Sequence, residues 1–165
     1  MTPRMEQAPN LTPLEHIQTV LTDMIRDRLG EDFYVAEFPD DPKQFDGRSY
    51  PRLVLVQYSG SRYGAPEDGR RGTQARRAEF AIHLRLSSSG APVRPLARIE
   101  ILRKAVQGQR MEGSRVQILN DGLVEHDQDN GTWRYILEVA LTVPALATSQ
   151  NHITPAVMAG RRKGA

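Results

Sequence analysis

Cysteine is missing from this chain altogether. That removes disulfides, thiol nucleophiles and thiolate-held zinc or iron–sulfur centres from consideration. Histidine is scarce, with His16, His83, His126 and His152 the only imidazoles. Aromatic residues make up 6% and the mean hydropathy is −0.52, which describes a water-compatible chain with a modest core. No apolar run approaches the roughly 18 to 20 residues that a membrane span requires, so no membrane insertion is expected. The opening MTPRMEQAPNLTP has neither the basic start nor the apolar middle of a secretory leader, and cytoplasmic synthesis is the expectation. Charge of one sign is also lacking, since 22 Lys and Arg stand against 20 Asp and Glu for a net +2. Charge distribution therefore says more than net charge.

Catalytic signatures are absent as well. There is no G-x-S-x-G elbow, P-loop or G-x-G-x-x-G fingerprint, and Gly60, Gly64, Gly69 and Gly72 precede no helix whose amides would cradle a phosphate. His83 shares a strand face with Glu79 and Arg85, as expected of a solvated or interfacial surface. His16, His126 and His152 have no nucleophile beside them in sequence. The densest set of possible ligands is His126, Asp127, Asp129 and Asn130, and its D-x-D-N-G run resembles the start of a calcium loop. The glutamate that would complete such a loop is missing, because Thr132 and Trp133 open a strand. A polar hairpin turn is the better reading. No enzymatic role, cofactor or metal is expected.

What is present reads as one α+β domain in 165 residues. In NLTPLEHIQTVLTDMIRDRLGED, Thr12 and Glu15 have the spacing of a capping box, Pro13 suits the first helical position, and Gly30 offers a stop. Ile17, Val20, Leu21, Met24 and Ile25 fall on one face. FYVAEF (33–38) reads as a short strand ended by PDDP, and RLVLVQY (52–58) as a strand covered on both faces or central in its sheet. In QARRAEFAIHLRLS, Phe80, Ile82, Leu84 and Leu86 alternate with Glu79, Ala81, His83 and Arg85. PLARIEILRKAVQG (95–108) returns to helical spacing with Leu96, Ile99, Leu102 and Val106 on one side. SRVQIL (114–119) reads as a strand, NDG (120–122) and DQDNG (127–131) as turns, and TWRYILEVALTV (132–143) as the clearest strand.

The order α-β-β-long loop-β-α-β-β predicts a mixed, mainly antiparallel sheet of about four to six strands, with two helices packed on one face and extended terminal tails. The other face carries His83, Arg85, Arg134, Glu138 and Thr142, and is expected to be exposed or to meet another subunit. Expected boundaries are an N-terminal extension (1–10), the α+β domain (11–146) and a basic C-terminal tail (147–165) bearing Arg161, Arg162 and Lys163.

One segment is out of proportion. SGSRYGAPEDGRRGTQARR (59–77) joins two strands with far more chain than the two to five residues a hairpin needs, and sets Arg62, Arg70, Arg71, Arg76 and Arg77 against Glu67 and Asp68. Arginines gathered this way neutralise phosphates, with Tyr58 and Tyr63 available to stack on bases, or grip carboxylates of another protein chain.

LTPLEHIQTVL, YPRLVLVQY with its glycine- and arginine-rich arm, AEFAIHLRL and WRYILEVALTV together resemble the small tail-completion proteins of contractile-tailed bacteriophages, particularly those of Mu-like prophages. That family is similar in layout to tail terminators of the lambda type, and the resemblance spans roughly residues 11 to 146. It implies a structural virion protein, made in the host cytoplasm, that forms a ring, usually of six copies, on the head-proximal end of the tail. Its implied partners are the tail tube protein, the sheath protein and the neck connector. The ring would stop polymerisation of the tube. Under this resemblance Arg62, Tyr63, Arg70, Arg71, Arg76, Arg77, His83, Arg85 and Arg134 are expected at the subunit or partner interface, with Arg161, Arg162 and Lys163 as tail contacts. Asp40, Asp41 and Asp46 are candidate acids on the neighbour, and arginines facing the channel would meet passing DNA. The alternatives are another neck or head–tail joining protein and, in a different class, a nucleic-acid-binding accessory module.

Overall fold

A computed structural model of the chain describes residues 11–65, 74–89 and 91–143. Helix α1, Pro13–Leu29, begins as its sequence dictates: the Thr12 hydroxyl accepts from the Glu15 amide, and the Glu15 carboxylate accepts from the Thr12 amide at 2.7 Å. These bonds hold the Glu15 carboxyl below its ordinary range. Gly30 closes the helix with φ +68°, a backbone conformation that glycine, having no Cβ, adopts at little cost.

Strand β1 (Tyr34–Glu37) lies parallel to β2 (Arg52–Tyr63), β2 antiparallel to β3 (Arg76–Ser87), and β3 antiparallel to β7 (Thr132–Val143). Strand β6 (Gln117–Asp127) pairs antiparallel with β7 and ends the sheet, giving the order β1-β2-β3-β7-β6. Helix α2 (Pro95–Val106) follows β3, and a small ribbon of β4 (Arg110–Met111) and β5 (Ser114–Arg115) leads into β6. The fold is thus the α+β sandwich that the order of elements predicts, with both helices on one face of a mixed sheet.

The core forms where the alternating faces of the three long strands meet the helices. Val54 and Val56 of β2, Phe80, Ile82 and Leu84 of β3, and Leu137 and Val139 of β7 are sealed beneath Ile17, Leu21 and Ile25 of α1 and Ile99, Leu102 and Val106 of α2. Leu96, expected on that buried side, stands 74% exposed. It occupies the first turn of α2, directly after Arg94 turns the chain with φ +50°, and the apolar stripe reaches the sheet only one turn later.

Two further expectations change. Strand β2 runs on to Tyr63, past Tyr58, because β3 supplies backbone partners through Arg76. The Asn120–Gly122 segment is strand and not turn: β7 offers a long ladder, and pairing overrides the local turn preference. Strand β6 absorbs the misfit as two register shifts, between Ile118 and Asn120 and between Leu123 and Glu125.

The second sheet face is also less open than the sequence suggests. The 38–51 connection folds back over β1–β3, where Tyr34 stacks on Tyr50 at 3.8 Å and Phe38 tilts against His83 at 5.2 Å. A Cβ on Gly47 would come within 3.0 Å of Leu53 and of the Arg85 guanidinium, so the loop lies directly on the strands. Leu53 and Leu55 are buried there.

Truncating Leu137, which is 0% exposed at the centre of the core, should therefore destabilise the fold. Leu137→Ala is expected to cost about 2 to 5 kcal/mol in denaturant unfolding, and a loss below experimental error would mean that the strand faces are reversed.

Candidate assembly interface

The disproportionate segment of the sequence begins at the ends of β2 and β3 beyond the reach of β1, where β3 is still flanked by β7 as far as Val143 and only Gly64 and Ala75 carry the pair past that point. Its base is irregular: the β2–β3 register shifts between Tyr58 and Gly60, which brings Tyr58 and Ser61 to one face. The Tyr58 hydroxyl and Ser61 Oγ lie 2.8 Å apart, Arg76 Nε donates to Ser61 Oγ at 2.9 Å, and the Arg76 guanidinium covers the Tyr63 ring at 5.7 Å. The bonds from Ser61 and then Arg76 hold the Tyr58 phenol below its ordinary pKa. Farther out, the Gly64 amide donates to the Ala75 carbonyl at 2.9 Å and keeps the two strands together.

On the opposite face of the arm Arg62 stands directly across from Arg77. Like charges so placed repel. Arg62 reaches Glu79 at 2.8 Å, but its side chain is 78% exposed and a pair in that much water contributes little. Arg77 turns inward, lining an open groove of about 400 Å3 with Ser114, Arg115, Gln117 and Thr142. Its Nε is buried without a hydrogen-bond partner among the described residues. Among the described residues this end of the sheet therefore gathers Arg62, Arg76 and Arg77, and only Arg62 is paired with an acid, Glu79.

The remaining residues predicted at the interface divide. Arg134 lies open on the second sheet face and donates to Glu125 of β6 at 2.7 Å. His83 and Arg85 are partly buried beside the 38–51 loop, and His83 Nε2 lies 3.0 Å from Gln57 Oε1. Burial, then the nearby Arg134 charge, lowers the His83 pKa. Arg70, Arg71, Arg161, Arg162 and Lys163 lie outside the described residues.

The acids proposed for a neighbour sit in the same loop. Asp41 and Asp46 cap turns through the amides of Lys43 and Arg48, each at 3.0 Å. The 127–131 segment is the hairpin turn that its composition predicts: Asp127 accepts from the amides of Asp129 and Asn130 and from the Asn130 side chain. His126 stacks on Trp133 at 3.6 Å. Among the described residues no three His, Asp or Glu converge as a metal site, and no helix is long and apolar enough to cross a membrane.

Sequence reasoning missed the exposed edge of β6. Leu119, Leu123 and Val124 are 39%, 52% and 51% exposed on that strand, which carries Asp121, Glu125 and Asp127 but no Lys or Arg. The signal was available in the acid-only stretch between Val116 and Trp133. It was hidden by reading Asn120–Gly122 as a turn.

The model of the Gp37 protein family matches residues 24–159. No curated protein matches the chain. Among solved structures, a chain from "Virion of native gene transfer agent (GTA) particle" is similar, with 13% identity and a TM-score of 0.41, covering 78% of this chain and 87% of that one.

The His83 environment has a measurable consequence. The folded-state pKa lies below the unfolded value of about 6.5, so the unfolded chain binds the proton first and stability falls as pH drops through that value. His83→Gln should narrow the stability difference between pH 7.5 and pH 5.5 measured by chemical denaturation. An unchanged difference would mean that His83 is solvated.

Proposed function

The chain belongs to the Gp37 protein family, and from that premise we propose that it is a structural component of a phage-type virion, acting by assembly and not by catalysis. In this reading it forms a ring at the head-proximal end of a tail, ends polymerisation of the tail tube, holds the top of the sheath and docks to the neck connector.

The observation that carries the reading is the arm. Beyond the reach of β1, the ends of β2 and β3 place Arg62 opposite Arg77, two positive charges that a carboxylate from another chain would bridge favourably. Arginine suits that contact because its planar fork binds a carboxylate through two parallel hydrogen bonds. A patch that meets a different patch on the next copy is what a cyclic ring requires. The resemblance to tail-completion proteins supplies the place in the particle; a neck or head–tail joining protein has the same physical requirements and differs only in that place. Duplex DNA held by a monomer, with affinity collapsing as salt rises, would favour the nucleic-acid-binding alternative.

Replacing residues 64–75 by Asn-Gly tests the arm. Long surface loops are cheap to close, at about 0.6 kcal/mol per doubling of length, so the shortened monomer should be as stable as the parent. Its rings, and its capping of purified tail tubes, should be lost in sedimentation and electron microscopy. Arg70→Glu/Arg71→Glu should do the same at full arm length. A shortened protein that still forms rings and caps tubes would overturn the role given to the arm.

A further inference from the structure

Resting on the ring reading above, we infer that the exposed edge of β6 is the receiving surface for the arm of a second copy of this chain. The two features stand at opposite ends of one sheet. Strand β6 ends it on one side, while on the other β1 pairs only with Leu53–Val56 and leaves the outer edge of β2 from Ser59 to Tyr63 without a strand partner among the described residues. Joining the second edge of one copy to the first edge of the next makes a head-to-tail contact that repeats in one direction, and it closes into a ring when the rotation per copy divides a full turn.

Three properties of β6 fit this occupant. The first is its length. Eleven residues of edge backbone carry neither lysine nor proline, the residues that commonly prevent an edge from pairing with another chain. Its two register shifts divide it into three regular spans, Gln117–Ile118, Asn120–Leu123 and Glu125–Asp127.

The second is apolar exposure. Leu119 and Val124 are the extra residues at the two shifts, and with Leu123 they give the edge apolar side chains that the helices of the same chain do not cover. Tyr63, 58% exposed on the arm, is an apolar counterpart of suitable size.

The third is charge. Between Val116 and Trp133 the chain has Asp121, Glu125, Asp127 and Asp129 and no Lys or Arg, while residues 59–77 have five arginines against two acids. Arg134 neutralises Glu125 and Arg103 lies near enough to Asp121 to feel its charge, but the strand remains acidic overall. Opposite charge on two edges that are both short of partners steers the arm of one copy to β6 of the next and disfavours arm-to-arm or edge-to-edge contacts.

A charge-swap mixture tests the pairing with the full-length protein. The edge variant Asp121→Lys/Asp129→Lys carries a basic arm and a less acidic edge; the arm variant Arg70→Glu/Arg71→Glu carries a weakened arm and an acidic edge. Each alone is expected to lose assembly in sedimentation velocity, with its thermal transition unchanged, and the equimolar mixture to recover assembly, the acidic arm of one variant meeting the lysine-bearing edge of the other and the unaltered arm meeting the unaltered edge. Amide hydrogen exchange on the wild type gives a second readout that needs no variant: residues 117–127 should exchange faster in the dilute monomer than in the ring. If the wild type assembles and depends on its arm, but the edge variant assembles equally well or the mixture fails to recover, the pairing is wrong and the ring reading stands. If the outward amides of residues 117–127, those not bonded to β7, are already protected in the monomer, the edge is occupied by the chain itself and the pairing is wrong. If the wild type forms no assembly alone or on tail tubes, the ring reading fails and this inference fails with it.

Discussion

The structure depends on the double pairing of β3. Its residues from Arg76 to Leu86 are matched to β2 on one side, and all of it from Arg76 to Ser87 is matched to β7 on the other. A strand held on both sides cannot slip by one residue without turning Phe80, Ile82, Leu84 and Leu86 out of the core, so this register fixes which side chains the helices cover. It also fixes the arm. Because β3 begins at Arg76, well outside the part of the sheet that β1 reaches, its first residues pair β2 from Gly60 to Tyr63 on one side while β7 holds them on the other, which leaves the outer edge of β2 open there.

The same register sorts the polar residues. Odd-numbered positions of β3 put Glu79, His83 and Arg85 on the face away from the helices, in line with Arg134, Glu138 and Thr142 at even positions of β7. The 38–51 loop covers one end of that face and leaves the β7–β6 end open. Surface available to a partner is therefore concentrated at the two margins of the sheet: a basic arm beyond β1, and an acidic, partly apolar edge at β6. A chain with a net charge of +2 is in this way strongly polarised along its sheet.

Much of this was legible in the sequence where local and tertiary preferences agree. The capping box of α1 and the alternation of β3 and β7 specify those elements without help from the rest of the chain. The Asp127–Gly131 turn was legible for the same reason, since Asp127 satisfies the turn amides locally. The failures occur where a neighbour decides. Asn120, Asp121 and Gly122 favour a turn by composition, yet a strand results because β7 has an unpaired side to offer. Leu96 follows the helical stripe but lies before the point where α2 meets the sheet. His83 and Arg85 belong to the polar face, and only the return of the 38–51 loop, which has no periodicity to read, places them partly out of solvent.

The arm links these physical facts to the proposed role, because it is the feature that the monomer leaves incompletely satisfied. The most direct measurement is negative-stain electron microscopy of the purified protein, alone and after incubation with tail tubes. The account predicts closed rings with a central channel, and tubes that carry a ring at one end and no longer elongate. A uniformly monomeric protein that leaves tube ends bare and tube growth unchanged would contradict it.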